Sequence, residues 1–299
     1  MSGTTESLSR KIAGANDLQA VVRSMKALAA SSIGQYERAV QSLEGYHRTV
    51  ELALTVCLRQ AGPRPLVETG NARRSVTVGA VIFGSDQGLV GRFNEVLVEF
   101  ASNRLRALPG KTTKIWAVGD RMRALMADTG LTQPNVLSVP ASVNAITSFV
   151  GQILTEIEAA RERGELTDVY IFHNHPRAGT FYEPVGHRLL PLDHAWQSKV
   201  AAVPWPTKSL PEVIGGVASA FAAFIRGYLF VLLFQACAES LASENASRLA
   251  AMQRAERNIE DILGDLNRSF HRIRQESIDE ELFDVITGFE ALTKRARHV

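Results

Sequence analysis

The sequence predicts a mixed α/β chain in which two long terminal helices form an antiparallel coiled-coil rod around a central Rossmann-like domain with a parallel sheet. Three observations predict it. All eleven prolines fall between Pro63 and Pro211. Because proline breaks helix interiors, each end is free to be one uninterrupted helix and the middle is not. Both ends space apolar residues alternately by three and four, whereas the middle alternates β-branched runs with helical patterns. The expected divisions are an N-terminal coiled-coil helix over 1–62, the α/β domain over 70–210 and a C-terminal coiled-coil helix over 211–299.

The first helix is expected from about Glu6 to about Arg59, roughly 80 Å at 1.5 Å per residue. Its seam runs through Val22, Met25, Ala29, Ser32, Tyr36, Ala39, Leu43, Tyr46, Val50, Ala53 and Cys57, the heptad pattern of a helix wound on another helix. Leu8, Ile12 and Ala15 begin the stripe with a slight phase slip.

In the middle, Ser75–Phe83 reads as a buried strand, followed by a glycine-containing loop and a helix from about Phe93 to Leu108. Pro109-Gly110 turns the chain into a second strand, Thr113–Val118. Helices are expected around Asp120–Asp128 and Ser142–Arg163, then a strand over Thr167–Phe172 and a further one near His187–Leu192. This alternation suggests a small α/β layer with a parallel core.

The last helix is expected from about Glu212 to about Leu292, roughly 120 Å. Leu249, Met252, Ile259, Leu263, Leu266, Phe270 and Ile273 form its seam, with Glu256 as the polar intruder. It outruns the first helix by about 25 residues, on the order of 35 Å. At its far end Leu282, Phe283, Val285, Ile286, Phe289 and Leu292 are apolar on more than one face. Such a tip is an association site unless it folds back, and enclosure by another protein is the expectation.

Composition narrows the function. A net charge of +2, from 33 basic and 31 acidic residues interleaved along the chain, argues against a dedicated nucleic-acid binder. Cys57 and Cys237 have no CxxC spacing and read as buried small hydrophobes, with a disulfide as the alternative. The opening MSGTTESLSRKI has no apolar stretch behind its charges, so no secretory signal is expected. Val217–Ala238 has the length of a membrane span, but Arg226 sits in its middle. A helix buried against a protein domain is the expected state.

Three segments tempt a chemical reading. Gly110-Lys111-Thr112 looks like the end of a P-loop, but Leu105 stands where its first glycine belongs and the segment enters a strand. A turn is expected, and no nucleotide or other cofactor. His173-Asn174-His175-Pro176 resembles the HxH zinc motif of JAMM-type metalloproteins. That motif's next two positions hold Glu183 and Gly186 here, so the third ligand is missing and only Asp193 or His187 is left to recruit. The expectation is no metal and two exposed loop histidines; a zinc hydrolase using them is an alternative function. Ser85–Asn94 is a loop between strand and helix, a place where a helix N-terminus can receive a phosphate, but it lacks GxGxxG spacing.

That loop, SDQGLVGRFN, resembles the SDRGLCGGFN element of gamma subunits of F-type ATP synthases at Ser85, Asp86, Gly88, Leu89, Gly91, Phe93 and Asn94. Glu239–Met252 is similar to the family's ESxxSExxxRMxAM block. Arg274-Gln275, Ile278, Glu281-Leu282, Ile286, Gly288 and Ala291-Leu292 fit its C-terminal signature, and Ile12, Gln19, Met25, Lys26, Ala29 and Ala30 fit its opening one. The resemblance implies a non-catalytic central-stalk rotor that couples ion flow through a membrane c-ring to alpha and beta subunits holding the nucleotides. It implies an epsilon-type partner and a place on the cytoplasmic face of the membrane. It also implies subunit-contact roles for Arg274, Gln275, Glu281 and Met25, the first two against a beta-subunit loop. Ser32, Val22, Gln87 and Val90 depart from the family pattern, as does 177–193, and such departures look like an alternate, sodium-associated subclass. A coiled-coil scaffold with no motor role is the remaining alternative.

Overall fold

The computed structural model describes residues 2–61, 76–177, 180–209, 211–214 and 216–296. Ser75, where the first strand was expected to begin, lies outside them, as do the side chains of Phe289 and Leu292. In chain order the elements are α1 (Ser2–Ala61), β1 (Thr77–Phe83), α2 (Phe93–Arg106), β2 (Lys111–Val118), α3 (Arg121–Ala127), β3 (Asn135–Leu137), α4 (Val143–Glu162), β4 (Asp168–Arg177), β5 (Thr180–Leu190), α5 (His194–Ala201) and α6 (Val217–Ala296). They fall into two compact units, one of Ala29–Arg248 and one made of Met1–Leu28 with Leu249–Val299.

The larger unit is built on a five-stranded sheet in the order β3-β2-β1-β4-β5. All neighbours are parallel except β4 and β5, which run antiparallel. The sheet is therefore the expected parallel core with an antiparallel edge strand added. Strand β5 is longer than its sequence signal, and the three-residue β3 and eight-residue α5 were too short to register as periodic patterns. Alternation along the strands sorts the core into two faces. Val78, Ala80, Ile82, Ile115, Ala117 and Phe172 pack with Leu97, Ala101 and Leu105 of α2 and Met122 and Met126 of α3. Val81, Phe83, Trp116, Val118, Val169 and Ile171 face Ile146, Val150, Ile153 and Ile157 of α4 together with α1 and α6.

The second face explains two departures from a simple helix seam. Leu54, Thr55, Val56, Cys57 and Leu58 are all buried in succession, because α1 is enclosed here on several sides. Thr55 Oγ1 satisfies itself on the Val200 carbonyl at 2.7 Å. Tyr46, expected in the seam, is instead 49% exposed, and His47 faces inward with its ring 5.6 Å from Tyr228. Cys57 and Cys237 are both buried and free, and burial raises both thiols above their ordinary range. By length and composition α6 is apolar enough to cross a membrane. Its Tyr228, Leu229, Leu233, Phe234, Cys237 and Ala238 are nevertheless core residues of this unit, and Arg226 pairs with Glu158 of α4 at 2.6 Å.

In the smaller unit the two helix ends lie antiparallel. Val22, Met252 and Ile259 form its buried cluster, flanked by Met25, Ala251, Ala255 and Leu263. Glu256, the expected polar intruder, accepts from Arg23 Nε at 2.8 Å and from Lys26 Nζ. A seam this thin is thus completed by charge pairing.

Candidate functional site

Gln19 meets Glu260 and Arg23 meets Glu256, so in this antiparallel register each step toward the start of α1 is a step toward the end of α6. Ser2, the first described residue of α1, then falls opposite Ser277, and the described part of α1 does not reach the residues after it. Ile278, Leu282, Phe283, Val285 and Ile286 are 46–71% exposed there. At 100° per residue, Ile278, Leu282, Val285 and Ile286 make one stripe, with Arg274 and Glu281 along one border and Gln275 in line with the stripe just before it begins. Arg274, Gln275 and Glu281 are all exposed. Met25 is different. It is half-buried against the Val22–Met252–Ile259 cluster, so its body serves the helix pair.

The glycine-containing loop is a structural hub. The Ser85 N–H donates to Asn94 Oδ1 at 3.0 Å, and Asn94 Nδ2 returns a bond to Ser85 Oγ at 2.9 Å. Asp86 accepts the N–H groups of Asp120 and Val139, each at 3.0 Å, tying together the ends of β2 and β3. Gly91 sits at φ 59, a left-handed conformation glycine adopts without strain. The block Glu239–Met252 has an equally physical reason. Carbonyls at and beyond the C-terminal ends of parallel strands need donors from outside the ladder. Ser240, Ser243 and Ser247 of α6 supply them, to Phe83 at 2.8 Å, Asn174 at 2.9 Å and Val90 at 2.5 Å. Glu244, buried in the same stretch, pairs with Arg248 at 2.6 Å. Gly110-Lys111-Thr112 is a turn into β2, with Lys111 N–H bonded to the Val76 carbonyl.

The histidines correct an expectation. His173 and His175 lie on β4, not in a loop, and His173 is only 4% exposed. Residues 169, 171, 173 and 175 share one strand face, so the apolar row Val169–Ile171 ends in two imidazoles. Glu239 of α6 lies across them. Its Oε2 is 2.8 Å from His173 Nε2 and 2.8 Å from His175 Nδ1, while Gln235 Nε2 donates to its Oε1 at 2.7 Å. Burial pushes the Glu239 carboxyl up, but the hydrogen bonds from His173, His175 and Gln235 outweigh it and hold it down, to about 2. Burial lowers His173 despite Glu239, so its ring is neutral at pH 7 with the hydrogen on Nε2 directed at the carboxylate. Its Nδ1 has no partner among the described residues. Neither residue the sequence offered as a third ligand takes that place. Asp193 caps α5 through the Trp196 N–H and pairs with Arg188, and His187 stands with its ring 6.3 Å from His173. Glu239 was missed because it lies 64 residues after His175 and no local spacing links them.

These features sit in a chain with extensive relatives. The family model described as ATP synthase matches residues 4–292. The chain belongs to the gamma family of ATP synthase. The ATP synthase gamma chain of Polynucleobacter asymbioticus is 25% identical over 97% of this chain and 99% of that one. The gamma chain of Granulibacter bethesdensis is 28% identical over 96% and 99%. Among solved structures, the rotor of the Euglena gracilis mitochondrial ATP synthase is similar with a TM-score of 0.62 at 15% identity, covering 93% of this chain and 100% of its own. The central stalk of the Tetrahymena thermophila enzyme is similar with a TM-score of 0.54 at 19% identity, covering 79% and 99%. The gamma family is thus matched along both long helices and the sheet together. The zinc-hydrolase and scaffold alternatives gain no support from these relatives.

Proposed function

We propose that this gamma chain is the non-catalytic shaft of a rotary ATP synthase, with the end of α6 as its bearing in a ring of alpha and beta subunits. Ion flow through a membrane c-ring would turn the shaft, and the shaft's asymmetry would hold the catalytic sites in different conformations. The observation that carries this reading is the exposed stripe Ile278–Ile286 beyond the end of the helix pair. An apolar face of this kind calls for a protein cover. Arg274 and Glu281 border that stripe and Gln275 stands in line with it, and these are the polar contacts we assign to the enclosing subunits, Arg274 and Gln275 to a beta-subunit loop. Met25 contributes through the helix pair that supports the tip. An epsilon-type subunit and the c-ring are the partners proposed for the sheet-containing unit, at the cytoplasmic face of the membrane.

Co-expression with the alpha and beta subunits of the same organism tests the reading. The expected result is a stable complex whose ATP hydrolysis depends on this chain, while the chain alone hydrolyses none. Failure to co-purify, or a complex whose hydrolysis is indifferent to the chain, would overturn it.

A further inference from the structure

We infer that His173, His175 and Glu239 form a binding site for one divalent transition-metal ion, zinc in the first instance, that clamps α6 to the sheet. Two imidazole nitrogens and a carboxylate oxygen lie within 4.8 Å of one another, and both nitrogens converge on the same Oε2 at 2.8 Å. A zinc ion bonded to all three needs about 2.0–2.2 Å to each donor, so it settles between the two nitrogens as Oε2 draws back from the point it now occupies. Imidazole donors select zinc and its transition-metal neighbours over magnesium or calcium, which prefer all-oxygen sets.

The surroundings fit a metal better than a plain hydrogen-bonded triad in three respects. The ligands stand on rigid elements, two on one face of β4 and one on α6. The backbone between the histidines is pinned, because Asn174 gives its side-chain amide to the Phe93 carbonyl at 3.0 Å and its own carbonyl accepts from Ser243. Gln235, one turn before Glu239, holds the carboxylate's other oxygen and so aims Oε2 at the imidazoles, the outer-shell support that metal ligands usually have. Three protein ligands leave a tetrahedral ion one open position. Cavities of about 260 Å³ and about 370 Å³ flank the site, the first lined by His187 and Gln235 and the second by Glu37 and Gln41 of α1. A water fits there as the fourth ligand.

The clamp would add coordination bonds to the hydrophobic packing and hydrogen bonds that already join the long helix to β4. The site lies well away in sequence from the α6 tip, and it does not depend on the shaft reading.

Titration of the full metal-free chain with zinc, and with cobalt as a coloured stand-in, tests the inference. Expected are one ion per chain by calorimetry, visible absorption from cobalt in a low-coordinate nitrogen–oxygen site, and a rise in Tm with added zinc. His175→Ala, at a half-exposed position, should keep the fold and lose both the cobalt colour and the Tm rise. Gln235→Ala should weaken zinc by about tenfold to a hundredfold while preserving one-to-one stoichiometry. His271→Ala, an exposed histidine elsewhere, should change nothing. Binding that survives His175→Ala, or is lost equally in His271→Ala, would overturn the assignment. So would the absence of any Tm rise or cobalt spectrum in the unsubstituted chain.

Discussion

Two stretches of α6, some twenty residues apart, solve the same problem in opposite ways. Around Met252–Ile259 the helix covers its apolar face with Val22 and Met25 of α1, and Glu256 finds Lys26 and Arg23 across the seam. From Ile278 to Ile286 the same helix is as apolar and is exposed, with no cover among the described residues. Helical periodicity is alike in both. What differs is the partner, since the described part of α1 reaches only to the level of Ser277. On the proposed reading, a helix that outlives its partner exports its hydrophobic stripe to another molecule.

The largest test of that contrast is truncation at the seam. Met252 is 2% exposed, and Met252→Ala should destabilise the helix pair by about 2–5 kcal/mol through lost burial and a residual cavity. Thermal unfolding followed by circular dichroism measures it. Next comes the polar border of the tip. Alanine at both Arg274 and Gln275 should leave the chain's helicity intact but weaken coupling in the assembled complex by about one to a few kcal/mol. Unchanged ATP synthesis and hydrolysis would remove both residues from the bearing.

A smaller effect belongs to the ion pairs. Hydrogen bonds from Lys26 and Arg23 hold the Glu256 carboxyl below its ordinary value of 4.5. A carboxyl depressed in the folded state binds fewer protons there than in the unfolded chain. Its contribution is therefore fully present above about pH 4.5 and lost as pH falls through the lower folded value. The helix pair should loosen in acid and in high salt, and Glu256→Gln should flatten that part of the pH profile. The smallest effect expected is at the tip itself. Leu282→Ala should change the free chain's stability by no more than about 0.5 kcal/mol, because the residue is already in water.

The long helices were legible because proline is excluded from both ends and the three–four spacing persists, signals that need no knowledge of the rest of the fold. The strands β1, β2 and β4 and the capped α4 were legible for the same local reason, with Ser142 accepting from the Ala145 N–H where a helix start was expected. Tyr46 was misplaced because a pure two-helix seam was assumed, whereas α1 is enclosed on several sides there and His47 turns inward. The histidine site was half legible. The HxH pair announced itself, but its carboxylate comes from a helix that only the folded chain brings across β4. Likewise the serines of Glu239–Met252 appeared as a family motif, and their reason, donors for carbonyls at the strand ends, required the sheet.

The central claim is that the seam is covered by this chain and the tip by others. The native cysteines are buried, so a single Leu282→Cys substitution gives a thiol reporter at the tip. Labelling with a maleimide should be fast in the free chain and strongly suppressed once alpha and beta subunits have assembled around it. Equal labelling in the free chain and the complex would contradict the account.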